Sequence, residues 1–290
     1  MNLEDLTTTP LPTLPPRNAD SHKGTFGRAL LIGGSRGMSG SISLSGQATL
    51  RSGAGLVTLA VPDCILDVVA SIETSYMTSA LAHEDDHIGS GAAQAVLELA
   101  TTTTAIALGP GIGRSASVTD FVQQLYQEIN LPMVVDADAL FALAQSQTSL
   151  TTPVGTRILT PHPGEFARLT GATPKQSDRA EAAAQLAQRD TTKQTIVVLK
   201  GHHTVVTDGT RYSINNTGNP GMATGGSGDV LTGIITALLC QGLEPFDAAR
   251  LGVHVHGLAG DLAAQDLGQV SMIASDLIHY LPKAFRAVVG

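Results

Sequence analysis

Six short runs of consecutive apolar residues alternate with longer alanine-rich stretches along this chain of 290 residues. Strands that are apolar at consecutive positions need cover on both faces, and a parallel sheet between two layers of helices provides that cover. The pattern therefore predicts an α/β fold, a three-layer sandwich with a mostly parallel central sheet and helices on both faces. The predicted strands are Ala29–Ile32, Leu56–Val61, Ala105–Leu108, Met133–Val135, Arg157–Thr160 and Thr195–Leu199.

The segments between and after these strands have helical length and spacing. Asp208-Gly209 stands between two β-prone runs within 205–214, and this pair predicts a hairpin that ends the sheet in antiparallel strands. The predicted helices are 40–52, 89–100, 115–128, 138–146 and 177–189, followed by three closing helices at 229–241, 245–266 and 274–288.

Residues 1–20 are rich in Thr and Pro, which predicts an extended N-terminal arm that forms no element of the fold. No linker or shift in composition interrupts 21–290, so this stretch is predicted to be a single catalytic domain. Small residues recur along 248–264 and predict a tight helix–helix contact or part of a subunit interface.

The net charge of −8 argues against nucleic acid and acidic membrane surfaces as partners. No apolar run approaches the length of about 18 residues that a membrane helix needs. Cys64 and Cys240 lack metal-type spacing and are interpreted as reduced core thiols. The acidic start does not have the pattern of a secretory signal, so we expect a cytoplasmic protein.

The most specific stretch runs from Asn216 to Asp229 and reads Asn-Thr-Gly-Asn-Pro-Gly-Met-Ala-Thr-Gly-Gly-Ser-Gly-Asp. Glycines let backbone N–H groups converge, and the start of the apolar helix that follows adds partial positive charge, so the stretch predicts a phosphate-binding loop. Asp229 would repel a phosphate. It is well placed to take the proton from a hydroxyl that attacks one, which indicates a phosphoryl-transfer site.

Glycine or polar residues also follow five other predicted strands. Because ligands bind beyond the carboxyl ends of strands in open α/β sheets, these segments predict one shared cleft. The segments are Ile32-Gly-Gly-Ser35, Gly109-Pro-Gly-Ile-Gly113, Asp136-Ala-Asp138, Pro161-His-Pro-Gly-Glu165 and Lys200-Gly-His-His-Thr204.

Two common nucleotide motifs are excluded by spacing. The glycines within 33–40 do not follow the G-x-G-x-x-G pattern, and no acidic residue ends the next predicted strand. The chain contains no Gly-Lys pair, which a Walker P-loop requires. The sequence therefore predicts neither a dinucleotide-binding dehydrogenase nor a P-loop enzyme.

With these loops in order, the chain resembles the ADP/ATP-dependent NAD(P)H-hydrate dehydratase family, a branch of the ribokinase-like superfamily. The resemblance extends from His22-Lys-Gly-Thr-Phe-Gly27 to about Asp261, and its most specific parts are Leu159-Thr-Pro-His-Pro-Gly-Glu-Phe166 and the stretch Gly218–Asp229. It implies a ribokinase-like fold and the repair of hydrated NADH or NADPH. In that reaction the ring hydroxyl is phosphorylated and phosphate is then eliminated.

The resemblance assigns Asp229 as the catalytic base, and its neighbours as nucleotide-binding residues. Lys200 would reach a phosphate, and backbone amides of the glycine loop would stabilise the transferred group. The nucleotide-binding residues implied are Lys200, Gly201, His202, His203, Thr204, Gly225, Gly226, Ser227 and Gly228. ADP is the expected phosphoryl donor, and the choice between ADP and ATP stays open.

The resemblance places the hydrated cofactor at Ser41, Gly111, Gly113, His162 and Asp229. Ser41 departs from the family pattern, which usually has Ala at this position. Glu165 corresponds to an acid associated with Mg²⁺ through water, and Asp136 is expected to support the same ion.

A small-molecule kinase of the same fold, acting on a vitamin precursor, is the first alternative, because it would use the same Asp229 and the same loop. A non-catalytic nucleotide-binding module is the second. We also expect a homo-oligomer, with a tetramer as the working assumption, and a separate epimerase for the other stereoisomer of the hydrate. The preference between NADH hydrate and NADPH hydrate stays open.

Overall fold

The computed structural model describes residues 3–146 and 150–289. Residues 1, 2, 147–149 and 290 fall within the predicted arm and domain but lie outside the described residues.

A ten-stranded sheet forms the centre of the molecule, in the order β1-β12-β11-β10-β9-β8-β7-β2-β3-β4. Within this sheet only β11 is antiparallel to the other strands, because its pairings with both β10 and β12 are antiparallel. The sheet strands are β1 Glu4–Asp5, β2 Arg28–Ile32, β3 Leu56–Pro62, β4 Met77–Leu81, β7 Ala105–Leu108, β8 Met133–Val135, β9 Arg157–Leu159, β10 Thr195–Leu199, β11 Val205–Thr207 and β12 Arg211–Ile214. A separate two-stranded pair consists of β5 His83–Glu84 and β6 His87–Ile88.

Two hydrophobic clusters cover the two faces of the sheet. Along β2, Leu31 belongs to one cluster and its neighbours Leu30 and Ile32 to the other, so consecutive apolar residues serve both layers. The helices are α1 Ser39–Arg51, α2 Leu66–Ile72, α3 Ala93–Ala100, α4 Ala116–Glu128, α5 Asp138–Ala144, α6 Pro163–Thr170, α7 Arg179–Ala187, α8 Ser227–Cys240, α9 Pro245–Leu267 and α10 Ala274–Val289. The three-layer prediction is confirmed.

All six predicted strands and all eight predicted helices are present, each helix end lying within four residues of its prediction. The largest difference is at α3, because residues 90–92 form a separate 3-10 turn before the helix. The predicted hairpin is also confirmed, but it does not end the sheet. Beyond it lies β1, which pairs with β12 in parallel.

The prediction that the N-terminal arm forms no element is wrong at Glu4–Asp5. The free edge of β12 accepts these residues as a short strand, and the Tyr212 hydroxyl donates to the Asp5 carboxylate at 2.9 Å. Arg250 on α9 holds the following residues by donating to the carbonyl oxygens of Leu6 and Thr9. The arm is therefore tied to the sheet edge.

The elements that were not predicted from the sequence include β4, α2, α6 and the β5–β6 pair. As an edge strand β4 has only Leu81 buried, so it lacks the apolar run by which the central strands are recognised. Among the described residues, no helix combines the length and apolar character needed to cross a membrane.

Candidate active site

The glycine loop ends where α8 begins, at the carboxyl edge of the sheet. Gly226 precedes the helix with φ +91°, a left-handed conformation that glycine adopts readily. The backbone N–H groups of Gly225, Gly226 and Gly228 make no hydrogen bond with any residue that the structure describes. Unpaired donors at a helix start favour the binding of an anion, so this geometry is compatible with the predicted phosphate-binding loop.

Asp229 lies in the first turn of α8 and is buried, with 9% of its surface exposed. Burial raises the pKa of its carboxyl to about 6, and the charge of Asp136 acts in the same direction. A hydrogen-bonding interaction with the Ser41 hydroxyl and the charge of Lys200 oppose that rise. A carboxylate whose pKa lies near neutrality is suited to proton transfer at cellular pH.

Helix α1 fixes the backbone at Asp229. The Ser45 hydroxyl donates to the Asp229 carbonyl oxygen at 2.8 Å, and one turn later the Thr49 hydroxyl reaches the Gly233 carbonyl oxygen at 3.1 Å. Gly233 has no space for a Cβ, because the Ser45 carbonyl oxygen of α1 lies against it. Asp229 is therefore held by two closely packed helices.

Lys200, directly after β10, joins the acids of the site. Its Nζ donates to Oδ1 of Asp136 at 2.7 Å and lies 3.9 Å from Oε2 of Glu165. The Thr232 hydroxyl of α8 donates to the other Asp136 oxygen at 2.8 Å. Burial alone would lower the pKa of Lys200, but the charges of Asp136 and Glu165 outweigh it and raise that pKa, so the amine stays charged.

His162 and Glu165 form a capping box at the start of α6. The His162 Nδ1 accepts from the amides of Gly164 and Glu165, and the Glu165 Oε2 accepts from the His162 amide at 2.8 Å. With Nδ1 accepting, the proton of the neutral ring is on Nε2, which faces Glu165 Oε1 at 3.4 Å. Burial raises the pKa of Glu165 to about 7, assisted by the charge of Asp136 and opposed by that of Lys200.

The loop after β7 lies beside Ser41. A Cβ on Gly111, which has φ +64°, would approach the Ser41 Cβ to 3.0 Å, so only a residue without a side chain permits this contact. The Gly113 amide donates to Oδ2 of Asp138 at 3.1 Å. The predicted substrate residues Ser41 and Gly111 are thus neighbours on one side of Asp229.

The segment 200–204 contacts the glycine loop and the residues that precede it. A Cβ on Gly228 would come within 3.1 Å of the Lys200 Nζ, which places the amine under the glycine loop. Arg179 holds this segment by donating to the carbonyl oxygens of Leu199, Lys200 and His202. The exposed His203 reaches Asn216 at the start of the glycine-loop stretch, with 3.1 Å between Nδ1 and Oδ1.

Helix α9 supports the glycine loop through His256 and Asp261, for which the sequence predicted no role at the site. The Nε2 of His256 donates to the Ser227 carbonyl oxygen at 2.9 Å. Burial lowers the pKa of His256 to about 4, and the charge of Lys200 acts in the same direction, so the ring is a neutral donor. The distance of His256 from the loop in sequence gave no signal for this contact.

Asp261, one turn further along α9, holds the beginning of the same loop. Its carboxylate accepts from the Gly218 amide at 2.8 Å and from the Asn219 side chain at 3.0 Å. The small residues Gly257 and Gly260 admit Thr217 and Met222 of the loop, which would collide with a Cβ at either position. Part of the small-residue stretch therefore receives the glycine loop, while Gly252 packs against Ile235 of α8 as a helix–helix contact.

The acids of the site offer Mg²⁺ few free oxygens. Both carboxylate oxygens of Asp136 already accept hydrogen bonds, from Lys200 and Thr232. No group of three His, Cys, Asp or Glu residues suited to a metal ion occurs in the described part of the chain. Glu165, with Oε1 facing only the His162 ring, fits contact through a water of a phosphate-bound ion, since Mg²⁺ retains waters.

The NAD(P)H-hydrate dehydratase family model matches residues 29–283. The bifunctional NAD(P)H-hydrate repair enzyme Nnr of Moorella thermoacetica is 47% identical over 278 residues, covering 94% of this chain and 52% of that protein. The chain spans about half the length of such bifunctional relatives. The ADP-dependent (S)-NAD(P)H-hydrate dehydratase of Bacillus subtilis is 36% identical, with 94% of each protein covered.

Solved structures agree with this grouping. The ADP/ATP-dependent NAD(P)H-hydrate dehydratase of Bacillus subtilis, co-crystallised with ATP and Mg²⁺, matches with a TM-score of 0.81 at 32% identity, covering 99% of both chains. Ribokinase of Thermotoga maritima matches with a TM-score of 0.56 at 14% identity, over 89% of this chain and 99% of that chain, a likeness of fold alone. The fold is ribokinase-like, as the sequence predicted.

Proposed function

The chain belongs to the NAD(P)H-hydrate dehydratase family, and we propose that it converts the S epimer of hydrated NADH or NADPH back to the reduced cofactor with ADP as phosphoryl donor. The observation that carries this proposal is the position of Asp229. The buried carboxylate follows a loop of unpaired backbone donors and lies between Ser41 and Lys200. A base beside an anion cradle supports phosphoryl transfer to a hydroxyl.

In the first step, the hydroxyl oxygen of the hydrated ring attacks the terminal phosphorus of ADP. Asp229 accepts the hydroxyl proton, the new P–O bond forms, and the bond from that phosphorus to the bridging oxygen breaks to release AMP. The amides of Gly225, Gly226 and Gly228 are placed to bind the oxygens of the migrating phosphoryl group.

In the second step, the C–O bond to phosphate breaks as the ring nitrogen donates its electron pair. A proton then leaves the adjacent ring carbon, and the double bond of the dihydronicotinamide is restored. Phosphate is a far better leaving group than hydroxide. The net products are reduced cofactor, AMP and phosphate.

Lys200 has two roles in this proposal. Its positive charge offsets the repulsion between the carboxylates of Asp136 and Glu165. Its Nζ lies close to Gly228, from where it would bind a phosphate of the nucleotide. Residues 201–204 continue along the nucleotide side. On the other side, Gly111, Gly113 and His162 line the position of the hydrated ring and its riboside.

Mg²⁺ would neutralise charge on the nucleotide phosphates, and Glu165 would hold it through water. Asp136 is better suited to position Lys200 than to bind the ion directly, because both its oxygens are engaged. The cytoplasmic location, the homo-oligomer and the separate epimerase stay predictions from the sequence.

The test is a product balance with hydrated NADH, ADP and Mg²⁺. We expect recovery of the near-ultraviolet absorbance of NADH, with AMP and phosphate formed in equal amounts to the NADH recovered. A vitamin-precursor kinase of the same fold would leave the hydrate unchanged and accumulate a phosphorylated precursor. Replacing ADP by ATP in parallel assays settles the donor, because ADP then appears instead of AMP.

A further inference from the structure

Two arginines flank one aromatic ring beside the predicted substrate loop. The guanidinium carbon of Arg114 lies 4.6 Å from the centre of the Phe141 ring, and that of Arg168 lies 5.0 Å from it. The two positive charges are therefore at most about 10 Å apart. Arg114 directly follows Gly113, and Arg168 lies in the last turn of α6, the helix that begins after His162. We call Arg114, Phe141 and Arg168 the arginine clasp.

The clasp carries excess positive charge in an acidic protein. Arg114 donates from Nε to Oδ1 of Asp138 at 2.6 Å, and the other oxygen of Asp138 already accepts from the Gly113 amide. Arg168 is exposed and has neither a hydrogen bond nor an ion pair within the described part of the chain. One carboxylate thus serves two cations. The pKa of His162 is lowered by burial and by the charge of Lys200, and the charges of Arg168 and Arg114 act in the same direction, so both arginines lie within electrostatic range of this predicted substrate residue.

The clasp is also close to the reacting centre. Gly111 contacts Ser41, the residue that interacts with Asp229, and Arg114 is three residues further along the same loop. Since consecutive Cα atoms are about 3.8 Å apart, the Cα atoms of Gly111 and Arg114 are at most about 11 Å apart. From there the Arg114 side chain reaches Asp138 and the Phe141 ring. This span suits a group separated from the nicotinamide ring by one ribose.

On the basis of the proposed function, we propose that Arg114 and Arg168 bind the pyrophosphate of the hydrated dinucleotide. Arginine presents a planar fork of donors that matches phosphate oxygens, and Phe141 holds both guanidinium groups against its ring. The pyrophosphate is attached to the nicotinamide riboside and is present in both NADH hydrate and NADPH hydrate. The 2′-phosphate of NADPH hydrate is on the distant adenosine and lies beyond this span.

Arg168→Gln is the main test. Arg168 is exposed, and its replacement leaves no hydrogen-bond or ion-pair partner unpaired among the described residues. Gln is also a good helix former, so α6 should be preserved. Arg286→Gln, an exposed arginine on α10, is the matched control. Binding of NADH to the intact protein is followed by the cofactor's own fluorescence without ADP, so the measurement does not depend on turnover. We expect Arg168→Gln to raise the Kd for NADH and for NADPH by a similar factor of about 10, the effect of one lost hydrogen bond to a charged group.

Steady-state kinetics of the hydrates then separate binding from chemistry. We expect Arg168→Gln to raise KM for both hydrates while kcat and the KM for ADP change by less than about twofold. Arg168→Lys should recover part of the affinity, because it restores the charge without the planar fork. Arg286→Gln should behave as the wild type in every assay.

Four results would overturn the inference: an unchanged Kd, an effect of equal size in Arg286→Gln, an effect confined to the 2′-phosphorylated forms, or a raised KM for ADP. The third would assign the clasp to the 2′-phosphate and the fourth to the nucleotide donor. If the wild type binds NADH through Arg168 but does not convert its hydrate, the clasp stands and the proposed function fails. If conversion occurs and binding is insensitive to Arg168, only the clasp fails.

Discussion

Two cations lie at opposite edges of the same sheet, Arg157 fully buried and Lys200 partly buried, and their surroundings differ. Arg157, at the start of β9, is fully buried and donates to the carbonyl oxygens of Tyr126, Ile129, Leu131 and Thr156. Lys200, just past the end of β10, donates to the carboxylate of Asp136 and lies near that of Glu165. Arg157 is thus held by backbone carbonyl oxygens and Lys200 by carboxylates.

Burial lowers the pKa of Arg157 to about 10, because the charges of Tyr126 and Asp190 oppose it only in part. At Lys200 burial is outweighed by the surrounding acids, and the pKa is raised. An arginine that closes the C-terminal end of α4 contributes to the fold and needs no further partner. The charge of Lys200 lowers the pKa values of Glu165 and Asp229, so a bound anion that pairs with Lys200 would change the ionisation of these acids. We therefore expect residues at the amino edge to act mainly on stability and those at the carboxyl edge mainly on activity.

The largest effect expected is at the carboxyl edge. Asp229→Asn should lower kcat by about 10³-fold, because a positioned general base contributes 10² to 10⁴. The Kd for ADP should stay within about threefold of the wild type, since the loop amides and Lys200 remain. Recovery of NADH absorbance measures kcat, and calorimetric titration measures the Kd. Full turnover in Asp229→Asn would remove the proposed base.

Arg157→Met should lower the free energy of unfolding by about 2–3 kcal/mol, because buried carbonyl oxygens lose their donors. The activity of each folded molecule should be unchanged. Denaturant unfolding gives the first quantity, and kcat per active site below the transition gives the second. The exposed Arg286→Met is the control, with an expected change within about 0.5 kcal/mol. A loss of kcat in folded Arg157→Met would contradict the division between the two edges.

The pH dependence of catalysis sharpens the same comparison. The pKa of Asp229 is raised to about 6, so the base loses its charge as the pH falls below that value. We expect kcat/KM to be level above about pH 6 and to fall about tenfold per pH unit below it. A profile that is flat down to pH 4 would show that no group with the raised pKa of Asp229 acts as the base.

Stability should respond to pH through the carboxyl edge as well. The pKa of Glu165 is raised to about 7, so the folded protein binds this proton more tightly than the unfolded chain does. Its stabilising contribution is complete below the ordinary glutamate pKa of about 4.3 and is lost as the pH rises through about 7. Glu165→Gln should make this part of the stability profile less steep and leave the contribution of Asp229, whose pKa is raised to about 6, whereas Arg157→Met should lower the profile without changing its shape there.

The smallest effect concerns Ser41. Ser41→Ala removes a hydrogen-bonding interaction that lowers the pKa of Asp229, so the acid limb of kcat/KM should move upward by up to about one pH unit. Turnover on the plateau should change by less than about threefold. Ser43→Ala is the control on the same helix, because the Ser43 hydroxyl interacts with the Ser39 carbonyl oxygen and with Tyr76 and is not among the groups that shift the pKa of Asp229. Equal shifts in both variants would argue against a specific role for Ser41.

Sequence reasoning found the central strands because they are apolar on both faces, and it found the glycine loop because a run without side chains has few other uses. It did not find β4, whose edge position leaves most of its side chains unburied. It also missed His256 and Asp261, because nothing local marks a side chain that bonds to a loop 29 to 43 residues earlier. Contacts at that distance depend on how helices pack, which spacing along one helix does not reveal.

The roles of the acidic residues at the site could likewise be predicted only in part from the sequence. The order of Asp136, Glu165 and Asp229 after strand and loop signals predicted that they would meet at one edge. Which oxygen is free and which is engaged depends on Lys200 and Thr232, residues that converge only in three dimensions. The expected pairing of Asp136 with a metal ion therefore gives way to the proposal that Asp136 positions Lys200.

The sequence by itself determined that this chain builds a covered, mostly parallel sheet with a glycine-rich loop at its carboxyl edge, because local apolar periodicity and glycine placement act over a few residues. Only the tertiary structure decided which charges face one another, since electrostatic interactions depend on distance and burial. The raised pKa of Asp229, the neutral His256 beneath the loop and the two arginines around Phe141 all follow from that packing.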